Sequence, residues 1–526
     1  MLENPGLSLE EESLFSSILP TRNLPLEIRL LRALDWNDFP SLDLPPCTYP
    51  KMLRGLSGRA SSSREDVANN FSQFLPLKKL LHEKAKLYLY HAVLVERPLR
   101  FGVMAQLKSE GDLLSLEDLV QLLERALPFS EKELFFSRPN EAQADSHQEM
   151  LFSSRQRCAM ARVDFLLQYP HYFPATDALL KSLYAQGFRG QHALVGRNGA
   201  LQERSFPLWG CSLGLHFLEK GIVAHDRPKT KLTDWLHLPV ARMLLGPGFC
   251  SLDEVELYKK RVSLNYLDAR SKNVFLQAFA YILATSSLRK VDICAPASLY
   301  QAELLQEVCD LALEKRCKML QIYYKGRHSL HTFFDQGKTA RLFFLDPLLE
   351  KERWLLFDAT RDLLVVQNTW GFSQALFLRV PYFYEVHPFD RYFLQDLLAL
   401  GEYYFSHLPD LTGYLRHFAV SLPQQERVPR GNSSMQEERI FPEEGFGTKT
   451  IEALHSFNRT LLRYFSANLL LVGLVKRALL QQRAPRVYLA EKKWENLYLQ
   501  GKISFVRFIQ EIQKEIAPYT IEQRRS

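Results

Sequence analysis

The sequence predicts an α/β protein flanked by helical regions, and three observations carry that prediction. Residues 290–325 read as a short buried strand (KVDICAP), an amphipathic helix-length run and a second strand (CKMLQIYYKG), a βαβ unit that implies parallel pairing through a crossover. The pattern Trp, Gly, x, Ser, x, x, Leu occurs at Trp209 and again at Trp370, each time after a stretch that reads as a strand pair, which suggests an internal repeat of two similar lobes. Residues 1–150 and 448–526 show helical periodicity instead of strand alternation.

Length and composition bound the function classes. At 526 residues the chain exceeds the roughly 100–200 residues of one domain. Its 46% hydrophobic and 24% charged residues are those of a globular protein. The start, MLENPGLSLEEESLF, has neither the basic, apolar character of a secretory signal nor the arginines of a transit peptide, so a cytoplasmic location is expected. The apolar run from Ala467 to Val475 falls short of the ~20 residues that span a bilayer and reads as buried helix. Seven cysteines without a CxxC pair argue for reduced thiols over a disulfide framework or a zinc ribbon. The net charge of +7 is concentrated at the C-terminal end, where eleven Lys and Arg from Lys476 onward face five Glu. Such a tail suits an anionic lipid surface or an acidic protein partner, and nucleic acid is not excluded.

The order of elements sets the expected domains. Residues 1–150 form a helical region, with Ser115 and Asp118 at capping-box spacing and 137–150 as a linker. Residues 151–250 form the first α/β lobe, with a helix at 177–186 closed by Gly187 and a hairpin turning on Asn198 and Gly199. Residues 251–415 hold helices, one opened by Ser251, and the second lobe, with strands expected at ARLFFL, RWLLF, LLVVQ and ALFLRVPYFYEV. A linker at 416–447 precedes the basic helical region 448–526.

The stretch 351–371, KERWLLFDATRDLLVVQNTWG, reads as strand, tight turn, strand with a spaced polar set: Lys351, Arg353, Asp358 and Asn368. That spacing resembles the phospholipase D superfamily, whose signature is HxKxxxxD followed six residues later by GSxN. Asp358 and Asn368 fall on the family's Asp and Asn, Lys351 stands at the histidine, Arg353 replaces the lysine, and the Gly-Ser pair is lost. In the first lobe His192 takes the histidine position, but Leu194 and Gly199 replace the lysine and aspartate. The resemblance implies two similar α/β lobes about one cleft, with His192 as the remaining catalytic candidate and Lys351, Arg353, Asp358 and Asn368 as ligand-binding residues. In the family one histidine attacks phosphorus while another protonates the leaving group, chemistry that needs both. A lysine ammonium is a poor nucleophile unless desolvated. The resemblance therefore implies a degenerate site that binds a phosphorylated ligand, an anionic lipid or a partner without efficient turnover.

Two other readings stand beside this one. Gly210-Cys211-Ser212-Leu213-Gly214 satisfies GxSxG, which makes Ser212 the candidate nucleophile of a serine hydrolase. Against it, Pro207 interrupts the expected central strand. The other is a helical interaction protein with no small-molecule site. His225 and His387 follow the two repeats and read as strand-end residues, His328 and His331 lack the further donors of a metal set, and no GxGxxG or GxxxxGK[ST] motif calls for a nucleotide cofactor.

Overall fold

The computed structural model describes Tyr88 and residues 99–105, 110–126, 130–136, 152–169, 176–197, 209–213, 215, 221–224, 230–246, 251–387, 390–405, 407–418, 440–442 and 445–519. In chain order these give β1 (Leu99–Ala105), α1 (Glu110–Ala126), β2 (Ser130–Phe136), α2 (Ser154–Met160), β3 (Phe165–Tyr169), α3 (Thr176–Ala185), β4 (Gln191–Arg197) and β5 (Trp209–Leu213). The short α4 (Asp234–His237), α5 (Pro239–Leu245) and α6 (Leu252–Arg261) lead to β6 (Val262–Tyr266), α7 (Lys272–Thr285), β7 (Lys290–Pro296), α8 (Ala302–Glu314), β8 (Met319–Tyr324), β9 (Arg327–Thr332) and β10 (Thr339–Leu345). Then come α9 (Glu350–Ala359), β11 (Leu364–Val366), α10 (Thr369–Ala375), β12 (Tyr382–Tyr384), α11 (Arg391–Tyr404) and α12 (Pro409–His417). The C-terminal helices are α13 (Thr448–Tyr464), α14 (Asn468–Arg483), α15 (Pro485–Leu499) and α16 (Phe505–Ile516).

The α/β class holds, built on two five-stranded sheets. The first has the order β2-β1-β3-β4-β5 and is parallel throughout. Its inner strands β1, β3 and β4 bury both faces, as parallel strands do, whereas the edge strand β2 is largely exposed. Phe101, Val103, Phe165, Leu167, Ala193 and Val195 face α1 and α14, whereas Met104, Leu166 and Phe135 face α2 and α3. Phe101 and Phe165, adjacent in register, stack at 5.4 Å.

Three expectations change here. β1 and β2 come from the region expected to be helical, and α14 from the C-terminal region covers the sheet, so the division at residue 150 falls inside one sheet. Helix α1 starts at Glu110, which leaves Ser115 inside it instead of at a cap. β4 and β5 pair in parallel with Ala193 opposite Trp209, so Asn198 and Gly199, outside the described residues, do not close a two-residue hairpin. The linker at 137–150 and most of the linker at 416–447 also lie outside the described residues, although 416 and 417 belong to α12. By contrast α3 ends as expected, with Gly187 at φ 89°, and α6 opens on a complete capping box between Ser251 and Glu254.

The second sheet has the order β6-β7-β10-β8-β9 and is parallel except for β9, which returns from β8 in a hairpin turning at Lys325 and Gly326. The βαβ unit β7-α8-β8 is present, with β10 inserted between its two strands. On one face Tyr258 of α6 and Arg341 of β10 both bond the buried Asp292 of β7, and Arg341 also donates to the Leu244 carbonyl of α5. On the other face Phe275 of α7 packs against Phe344. β11 and β12 form a small parallel pair, and isolated parallel bridges, Leu264 with Thr360 and Leu267 with Val365, lay β11 along the free side of β6.

The stretch 351–371 is not a strand pair. Residues 350–359 are helix α9, only 364–366 are strand, and 369–375 are helix α10. Glu352 to Phe357 are all buried, so across these six residues α9 lacks the alternation of exposed and buried positions that produces helical periodicity in a sequence. Glu352 itself accepts from Val240 N at the start of α5 and from Leu349 N, which satisfies two helix starts with one buried carboxylate. The repeat fails at the same place: Trp209 lies on strand β5 and Trp370 on helix α10. The expected strand over ALFLRVPYFYEV contracts to β12.

Helices α13 to α16 confirm the expected helical region from Thr448, and the apolar run beginning at Ala467 is the buried part of α14. Among the described residues no helix is long and apolar enough to cross a membrane.

Candidate functional site

In an open parallel sheet, the loops at the carboxyl ends of the strands diverge where successive connections leave in opposite directions, and that divergence opens a crevice. In the second sheet the chain leaves β6 for β7 on one side, while β11 lies on the other. That rule places the candidate site between residues 267–271 after β6 and 367–369 after β11, with the loop after β12 beside them.

Each loop is fixed by its own residues. Asp268 N bonds the Val365 carbonyl at 3.1 Å, and the Gln367 side-chain amide donates to Asp268 Oδ1 at 2.9 Å, tying the two lips together. Glu385, immediately after β12 and only 1% exposed, accepts from Arg270 N at 2.6 Å and Ser271 N at 2.8 Å. Its carboxylate thus occupies the positive end of α7, and Ser271 Oγ takes Val274 N as the helix cap. The Arg270 side chain is exposed, on a backbone held by a buried acid. Asn368 Oδ1 accepts from Gly371 N at 2.7 Å and caps α10. Only glycine fits at 371 without displacement, since a Cβ there would lie 3.0 Å from Val366 Cβ. Asp390, 1% exposed, bonds the Tyr384 hydroxyl at 3.2 Å and donates its backbone N–H to the His387 carbonyl.

The residues singled out in the sequence do not converge. Lys351 and Asp358 are exposed on α9, seven positions and thus about 10 Å apart along the helix. Asp358 accepts both the backbone N–H and the hydroxyl of Thr230, the latter at 2.5 Å. Arg353 is buried, with its guanidinium 6.0 Å from the Trp370 ring. Of the four, only Asn368 borders the crevice.

His192 sits near the start of β4, 3% exposed, with Nε2 3.2 Å from Gln168 Oε1, whose amide in turn donates to Thr176. Burial lowers its pKa to about 4, so the ring is neutral and core-bound. Ser212 lies within β5, paired opposite Gly196, so the backbone is extended where a nucleophile elbow requires a sharp strand-to-helix turn. His225 falls outside the described residues. Among the described residues no three His, Cys, Asp or Glu side chains converge as a metal site would require.

The sequence reading missed Asp268, Arg270, Gln367 and Glu385. The strand that positions the first two, VSLNY, is a fully buried run without alternation between two helices. Its pairing with β11 is what gathers the set.

Helices beside the two sheets also touch. Gln374 of α10 donates to the buried Asp118 of α1 at 3.1 Å. Nearby the Glu117 carboxyl is pushed up by partial burial and by Glu350, with Arg353 opposing.

Fold and site together define a parallel-sheet α/β protein with a cluster of polar side chains at the carboxyl edge of its second sheet. No protein-family model and no curated protein matches the chain.

Proposed function

We propose that this protein binds a small phosphorylated, hydroxyl-bearing ligand, of the sugar phosphate or nucleotide class, in the crevice between the loops after β6 and β11. The observation that carries the reading is the Arg270 loop: an exposed guanidinium at the switch point of a parallel sheet, its backbone held in place by the buried Glu385. A guanidinium offers paired donors to phosphate oxygens. Asp268 and Gln367 supply the acceptors and donors that hydroxyl groups need. The phosphorylated ligand expected from the phospholipase D resemblance is retained, but on different residues, because Lys351 is exposed on α9, Asp358 bonds Thr230 and Arg353 is buried against Trp370. No activated nucleophile lies among the residues of the crevice, so the role is binding in preference to turnover.

Calorimetric titration with inorganic phosphate, a hexose phosphate and a nucleoside diphosphate tests this. Replacing Arg270 by Gln should weaken the phosphorylated ligands about tenfold or more, the worth of a charged hydrogen bond, and Asp268→Asn should weaken the sugar phosphate more than inorganic phosphate. Loss of binding in Lys351→Ala with full affinity in Arg270→Gln would move the site to α9 and sink the proposal.

A further inference from the structure

Strand direction gives the second sheet an electrostatic polarity. β6, β7, β10 and β8 are parallel, so their starts share one edge, and β9 ends there because it runs the other way. Backbone bonds tie the entries side by side: Thr339 N to the Arg289 carbonyl, Lys318 N to the Lys338 carbonyl, and Phe333 N to the Lys318 carbonyl.

Nearly every entry carries cations. Arg261 precedes β6, Arg289 and Lys290 open β7, Arg316 and Lys318 precede β8, and Arg361 lies beside Lys259 at the end of α6. All but the half-buried Lys259 are exposed, and none makes an ion pair with a described carboxylate. The acids nearby are engaged: Glu256 by Lys260 at 3.8 Å, Glu314 by Lys315 at 2.8 Å, Asp362 by Ser263 at 2.5 Å, and Asp292 by Arg341 and Tyr258. Asp335 is the exposed exception. Lys338 is spent on the Leu283 carbonyl at the end of α7. The Lys259 ammonium is pushed down by partial burial and by Arg361. Apolar side chains interleave with the charges: Leu257 on α6 is 44% exposed, Leu313 near the end of α8 49%, and Phe334 beyond β9 40%.

We propose that the amino-terminal edge of the second sheet is a docking surface for an anionic lipid bilayer. Five strands at the usual spacing make a row about 19 Å long. A row of cations with protruding Leu and Phe matches the interfacial zone of a membrane, where charge meets anionic headgroups and apolar tips enter the acyl boundary. Single-stranded nucleic acid fits less well, because of the three apolar tips only Phe334 offers a ring on which a base can stack. The surface is separate from the crevice at the opposite edge, so a ligand there and a membrane here need not compete.

Sedimentation of the full-length protein with vesicles of phosphatidylcholine, alone or mixed with phosphatidylserine, tests the proposal. Binding is expected only to the mixed vesicles and should fall as salt rises. The variant Arg289→Gln/Lys290→Gln/Lys318→Gln should partition about a hundredfold more weakly, since each surface cation contributes about fivefold. Leu313→Ser/Phe334→Ser should weaken binding while leaving its salt dependence unchanged. A thermal melt confirms that both variants fold. Equal binding to the two vesicle types, unchanged binding of the triple variant, or retention of a single-stranded oligonucleotide without vesicle binding would each overturn it.

Discussion

His192 shows how burial decides what a residue type does. A histidine near the surface titrates close to pH 6.5, but here the ring is 3% exposed, its Nε2 is engaged with Gln168 and its Nδ1 has no partner among the described residues. Burial lowers its pKa to about 4. The unfolded chain therefore binds a proton below pH 6.5 that the folded chain refuses until about pH 4. Stability from this group is complete above pH 6.5 and is lost as pH falls through that window, by about 3 kcal/mol in all. Urea denaturation across pH 4 to 7 should show this loss in the wild type and a shallower slope in His192→Gln. Identical slopes would mean the ring is accessible to protons in the folded state.

At the scale of an element, Glu385 links a short strand to a long helix. Its two carboxylate oxygens accept two backbone N–H groups at the start of α7, so β12 holds the loop that β6 presents to the crevice. In Glu385→Gln one acceptor becomes a donor that faces another donor. The cost should be about 2 kcal/mol, the penalty of a buried unsatisfied group, read as a lowered denaturation midpoint. Amide exchange at Arg270 and Ser271 should also quicken. Unchanged exchange there would show that the loop is held by something else. The neighbouring α9 illustrates why this part of the chain misled. A helix buried on nearly all sides and a buried strand both appear in sequence as an unbroken apolar run, and RWLLF is such a run.

For the whole molecule, the C-terminal region supplies a helix that covers one face of the first sheet. Phe465 and Ala467 bond to Ile222, Asn468 bonds to Ala224, and α14 then lays Leu471, Val475 and Leu479 on the face formed by Val103, Phe165, Leu167 and Val195. Leu471, 1% exposed, should cost about 2 to 5 kcal/mol when replaced by Ala. Spectroscopic unfolding should register that loss as a shift of the transition. A shift near zero would mean that α14 docks only loosely.

The sequence by itself determined the α/β class, the βαβ unit around β7 and β8, the caps at Ser251 and Gly187, and the helices from Thr448 onward, because local periodicity and capping chemistry need no distant partner. Tertiary structure alone decided that β4 and β5 run parallel, that residues 350–359 are helix, and that segments from both ends of the chain complete the first sheet. It also spread Lys351, Arg353 and Asp358 along helix α9 and brought Asp268, Arg270, Gln367 and Glu385 together at the carboxyl edge of the second sheet. The reason is physical: spacing along a chain places side chains together only if the intervening backbone has the assumed rise. A helix advances about 1.5 Å per residue where a strand advances about 3.3 Å. Groups gathered at the end of a parallel sheet are instead brought together by strand order, which local sequence does not encode.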